Sequence, residues 1–139
     1  MKNKIVVVSG YFDPVHVGHI ELLERAKSLG KKLIVIVNND KQAELKKGKS
    51  FMCQEDRCII MQSMYLVDEV FLSIDDDNTV CKSLEAIKPH IFANGGDRYS
   101  DEIPEAAVCK KYNIKIVDSL GKKVRSSSEL IKNAGQKSD

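Results

Sequence analysis

The sequence predicts an α/β domain built on a five-stranded parallel sheet with helices on both faces. Short β-branched apolar runs alternate with helix-period segments along the chain. The runs are continuously apolar, as in strands buried on both faces. The 139 residues suit one core, and no linker or repeat divides them, so residues 1–139 read as a single domain whose tail frays from about residue 135.

The expected strands are Ile5–Val8, Leu33–Val37, Glu69–Leu72, Ile91–Ala93 and Ile114–Val117. Between the first two, Ile20, Leu23, Ala26 and Leu29 share a helix face, with Gly30 as the stop. Further helices are expected over Gln54–Tyr65, Asn78–Ile87 (ended by Lys88-Pro89), Glu105–Tyr112 (preceded by Pro104) and Ser126–Asn133. Strand and helix repeated this way form right-handed βαβ units. The stretches 38–53 and 94–103 are polar and read as long irregular loops, which more often carry function than not.

With 22 basic against 20 acidic residues the net charge is +2, which gives no footprint for nucleic acid. No apolar run is long enough for a signal-peptide core or a membrane span, so a soluble cytoplasmic protein is expected, without a membrane partner. Cys53, Cys58, Cys81 and Cys109 form no C-x-x-C pair and no zinc pattern. They read as free thiols, with Cys58 and Cys109 buried on helices.

The most informative segment is Gly10-Tyr11-Phe12-Asp13-Pro14-Val15-His16-Val17-Gly18-His19. It leaves a buried strand and starts a helix, at the carboxyl edge where open α/β sheets bind ligands. Gly10 lets the backbone approach a ligand. Asp13-Pro14 favours a turn into the helix. His16 and His19, three apart, share a face, and Gly18 leaves no side chain between them. Free N–H groups at the helix start favour an anion, and two imidazoles can donate to phosphate oxygens.

This segment resembles the signature of the cytidylyltransferase-like nucleotidyltransferases. The likeness continues through Ile20–Lys27 and Val67–Val70 to the last helix, and is similar to glycerol-3-phosphate cytidylyltransferases. Val37-Asn38-Asn39-Asp40 and Gly95-Gly96-Asp97 are similar to the adenylyltransferase domain of heptose-1-phosphate adenylyltransferases. The resemblance implies a Rossmann-like domain with its first and fourth strands adjacent. It implies transfer of a nucleoside monophosphate from CTP or ATP to a phosphorylated small alcohol or sugar, with pyrophosphate released. Close relatives are homodimers, and the 51–70 region is the apolar surface available for that.

Residue by residue, the resemblance gives His16 and His19 to the triphosphate and the departing pyrophosphate. Tyr11 and Phe12 lie along the phosphates by their backbone, and Asp13 lies near the reacting groups. Lys46 or Lys47 reaches the α-phosphate and the acceptor phosphate, with Lys49 assisting at the substrate. Arg57 matches a family arginine and is a candidate substrate contact; an ion pair with a nearby carboxylate is the alternative. Gly95 and Gly96 admit a flat base or ribose, Asp97 accepts from it, and Arg98 assists; alone this segment reads equally as a Gly-Gly turn. Ser126, Ser127 and Ser128 match a phosphate-binding helix start, and Ser126 with Glu129 also forms a capping-box pattern. The family pattern Arg-Thr-Glu-Gly-Ile-Ser-Thr-Thr is replaced by Gly121–Ser128, which leaves CTP and ATP both open. Mg²⁺ is expected on the nucleotide phosphates, with no protein cage. The alternatives are an adenylyltransferase acting on FMN or another phosphorylated cofactor precursor, and a nucleotide-binding module without catalysis. A class I aminoacyl-tRNA synthetase shares the motif, but its Lys-Met-Ser-Lys-Ser loop has no match here.

Overall fold

The structure, a computed structural model, describes residues 3–95 and 103–120. In chain order they form β1 (Ile5–Gly10), α1 (Val17–Lys27), β2 (Lys32–Val37), α2 (Asp40–Lys47), α3 (Gln54–Gln62), β3 (Glu69–Leu72), α4 (Cys81–Ile87), β4 (Ile91–Gly95), α5 (Ala106–Lys111) and β5 (Lys115–Leu120). The expected helix over 126–133, and with it Ser126, Ser127 and Ser128, lies outside the described residues, as do Gly96, Asp97 and Arg98.

The five strands make one sheet in the order β3-β2-β1-β4-β5, with every neighbouring pair parallel. Alternate residues of each strand feed two cores, which is why the runs are continuously apolar. Val6, Val8, Val35 and Ala93 pack on one face with Leu23 and Ala26 of α1 and Met61 of α3. Val7, Ile34, Ile36 and Phe92 pack on the other with Leu84 of α4 and Cys109 of α5. Cys109 is buried and Cys58 half-buried, and all four cysteines are free thiols. Among the described residues no helix is long and apolar enough to cross a membrane.

The segment 38–53, expected as an irregular loop, contains α2. Asn39 Oδ1 accepts from the Gln42 N–H at 2.8 Å, and Gln42 Oε1 accepts from the Asn39 N–H at 3.0 Å. That reciprocal cap starts a helix with little apolar face: Ala43 is buried and Leu45 exposed. Gly48, at φ +84°, ends it in a conformation that a side chain disfavours. Two other helices are shorter than expected. α3 stops at Gln62, and α4 starts only at Cys81, because Asp75 receives the Lys82 and Ser83 N–H groups at 2.7 and 2.9 Å.

Gly30 has a different use from the helix stop expected of it. A Cβ there would lie 2.5 Å from the Lys4 carbonyl oxygen and 2.8 Å from Val6 Cγ2. Its bare backbone lets the α1–β2 turn press against the start of β1. Gly30→Ala is therefore expected to cost about 1–3 kcal/mol in urea denaturation; an unchanged midpoint would show that the strand start shifts freely.

Candidate functional site

β1 and β4 are neighbours that send the chain to opposite faces, β1 towards α1 and β4 towards α5. The carboxyl edge of the sheet between two such strands is the usual ligand position in these folds.

The first loop is held by its own side chains. Phe12 is 3% exposed and has φ +52°, an uncommon backbone region for an aromatic residue. Its ring lies where a Gly10 side chain would be, since a Cβ on Gly10 would meet Phe12 Cζ at 3.0 Å. The bare backbone of Gly10, expected to face a ligand, therefore makes room for Phe12. The ring edge also meets His19, with centroids 4.9 Å apart.

His16 caps α1. Its Nδ1 accepts from the Gly18 N–H at 3.1 Å, and His19 Nδ1 accepts from the His16 N–H at 3.1 Å. The His16 carbonyl accepts from the His19 and Ile20 N–H groups. Four amides at the helix start, those of His16, Gly18, His19 and Ile20, are thus engaged where free ones were expected for an anion. What the loop offers instead is imidazole. A neutral ring that accepts at Nδ1 carries its proton on Nε2, so each histidine presents an N–H on the edge away from the cap. The rings stack, with centroids 4.0 Å apart.

Burial, and then the charge of His16, lower the pKa of His19 from 6.5 to about 4. His19 is therefore a neutral donor at physiological pH. The unfolded chain takes up this proton near 6.5 and the folded chain only near 4. On acidification the unfolded state gains the proton first, so stability is full above the unfolded pKa and falls as pH drops from 6.5 to about 4. Melts across that window should show a smaller acid loss for His19→Gln than for wild type; parallel curves would contradict the burial of this ring.

Lys46, on the last turn of α2, sets its ammonium 5.1 Å from the centre of the Tyr11 ring. Tyr11 is half-buried, and its hydroxyl pKa is raised by burial, against a smaller opposing effect of Arg57. Lys47 is the final residue of α2, and Lys49 lies on the exposed bend after Gly48. The structure thus brings Lys46 to the histidine loop, from a helix rather than from the irregular loop expected. Gly95 ends β4, opposite Leu120 of β5.

Asp13 and Arg57, both expected near substrate, bind the protein itself. The Asp13 carboxylate accepts from the Phe51 and Met52 N–H groups at 2.7 Å each. Arg57 is 0% exposed. Its guanidinium donates to the carbonyls of Tyr11 (2.9 Å), Asn38 (2.6 Å) and Met52 (3.0 Å), and to Asp40 Oδ1 (2.8 Å). It ties the histidine loop, the end of β2 and the start of α2 together, and the ion pair with Asp40 is present. Sequence reasoning passed over Asn94, which is 5% exposed at the end of β4.

A parallel α/β domain with paired imidazole donors at the mouth of its first strand belongs to the nucleotide-handling class of such folds. The family model described as Cytidylyltransferase-like matches residues 7–134, and the chain belongs to that family of nucleotidyltransferases. FAD synthase of Thermococcus sibiricus is 41% identical over 118 residues, covering 81% of this chain and 77% of that protein. The bifunctional protein HldE of Wolinella succinogenes is 32% identical over 132 residues, covering 94% of this chain. The chain spans only 27% of that HldE, about a quarter of its length. The crystal structure of the lipopolysaccharide core biosynthesis protein from Thermoplasma volcanium superposes with a TM-score of 0.71 at 28% identity, covering 83% of this chain and 94% of that one.

Proposed function

We propose that this chain transfers a nucleoside monophosphate from ATP or CTP to the phosphate of a small phosphorylated alcohol or sugar. The observation that carries it is the reciprocally capped His16–His19 pair at the mouth of β1, with both Nε2–H groups left to donate. An acceptor phosphate oxygen attacks the α-phosphorus in line; the bond from that phosphorus to the bridging oxygen of the β-phosphate breaks, and the electron pair leaves with pyrophosphate. The acceptor is already an anion, so the reaction needs neither a protein nucleophile nor a strong base. Catalysis is positioning and charge stabilisation. His16 and His19 donate to the triphosphate, and Lys46 supplies positive charge, with Lys47 and Lys49 as further candidates. Gly95, Gly96, Asp97 and Arg98 hold the nucleoside end, and Gly18 leaves the phosphates room. Ser126, Ser127 and Ser128 receive the terminal phosphates.

Imidazole N–H groups and an ammonium suit anions rather than cations. A Mg²⁺ ion would therefore be held by the nucleotide rather than by these residues, and would supply further charge neutralisation there. A homodimer is part of the proposal, with exposed Phe51, Ile59 and Tyr65 as its apolar contacts.

A second acceptor class, FMN, is favoured by the 41% identity with an FAD synthase across 77% of that protein. Pyrophosphate release with Mg²⁺, crossing four nucleotides with glycerol-3-phosphate, heptose-1-phosphate, phosphocholine and FMN, tests both. Release that needs one nucleotide and one acceptor names the substrates. Silence across the grid, without stabilisation by any nucleotide in a melt, would overturn the proposal.

A further inference from the structure

Buried side chains near the carboxyl edge are almost all paired: Arg57 by three carbonyls and Asp40, Asp75 by two amides and the Ser83 hydroxyl, Gln42 by the Asp77 and Thr79 carbonyls. Asn94 differs. It is 5% exposed, and among the described residues its Nδ2 is the one buried side-chain nitrogen or oxygen without a hydrogen-bond partner. A buried amide donor with no acceptor is costly, and native proteins keep few of them.

Its place in the fold says what the missing acceptor belongs to. Asn94 is the penultimate residue of β4, the strand next to β1, at the carboxyl edge of the sheet. Ala93 packs in the core beneath α1, and Phe92 in the core beneath α4 and α5. The pairing with β5 shifts register between Ala93 and Gly95, so Asn94 sits at the irregular carboxyl end of the strand. The histidine pair follows β1, the strand next to β4, and Lys46 reaches the same loop through Tyr11. A neutral amide donor at the end of the strand beside that cationic loop suits the uncharged end of a nucleotide.

We propose that Asn94 reads the nucleoside, donating its Nδ2–H to an acceptor atom of the base or sugar. This rests on the nucleotidyl-transfer proposal above. Asn94→Leu keeps the approximate volume and removes the orphaned donor. Two measurements on the full chain test it: the melting temperature without ligand, and calorimetric affinity for ATP and for CTP. A structural asparagine and a nucleoside-reading one then give opposite signs. The expected result is a ligand-free melt at or above wild type, with affinity for the nucleotide that wild type binds weakened by about fivefold or more. A lower ligand-free melt, or a smaller change in affinity, overturns the role of Asn94 alone. Wild-type protein that binds neither ATP nor CTP overturns it together with the proposal on which it rests.

Discussion

Removing the Nε2–H of either histidine should lower kcat by about 10²–10³-fold, the usual effect of deleting one preorganised donor to developing negative charge. His16 does two jobs, and they separate by substitution. His16→Ala also deletes the cap of α1, which costs about 1 kcal/mol of stability. His16→Asn keeps an acceptor for the Gly18 N–H but has no donor in the Nε2 position. Kinetics and melts of both variants should give the same loss of turnover, with near-wild-type stability for His16→Asn only. Full activity in His16→Asn would leave His16 as a cap and nothing more. For His19, alanine also removes the ring against Phe12 and the acceptor for the His16 N–H. Its variant should therefore lose stability as well as turnover.

Arg57 carries the largest expected effect on the fold. Arg57→Ala strands three carbonyls and Asp40 and empties a fully buried volume, so a loss of about 3–5 kcal/mol is expected in urea denaturation. Arg57→Lys should recover little, because one ammonium cannot span acceptors that a planar fork reaches in several directions. Since Arg57 joins the Tyr11 backbone to the start of the helix bearing Lys46, any folded variant should also show reduced kcat. A variant with wild-type stability would contradict this network.

How much of this was legible in the sequence differs from element to element. The strands were visible because burial on both faces writes an unbroken apolar run, as in Leu33–Val37. The histidine motif was visible because spacing and a strand-to-helix position coincide. α2 was missed because it has almost no apolar face; Asn39 and Gln42, three apart, were its one local sign. The partners of Arg57 had no such sign, since carbonyls at Tyr11, Asn38 and Met52 meet only through the tertiary fold. The cap at α1 was hidden for a related reason: histidine is not among the preferred capping residues. Its use of the amides leaves imidazole N–H groups, rather than the expected backbone ones, at the mouth of β1. The orphaned donor of Asn94 is a property of what surrounds it, which no pattern along the chain records.

The most direct measurement follows the label of the nucleotide. With the acceptor that supports turnover, the reaction is run once with α-³²P and once with γ-³²P nucleotide, and the products are separated. Nucleotidyl transfer puts the α label in the acceptor product and the γ label in pyrophosphate. A γ label on the acceptor, with nucleoside diphosphate as the other product, would make the chain a phosphoryl-transfer enzyme and contradict the role given to His16 and His19.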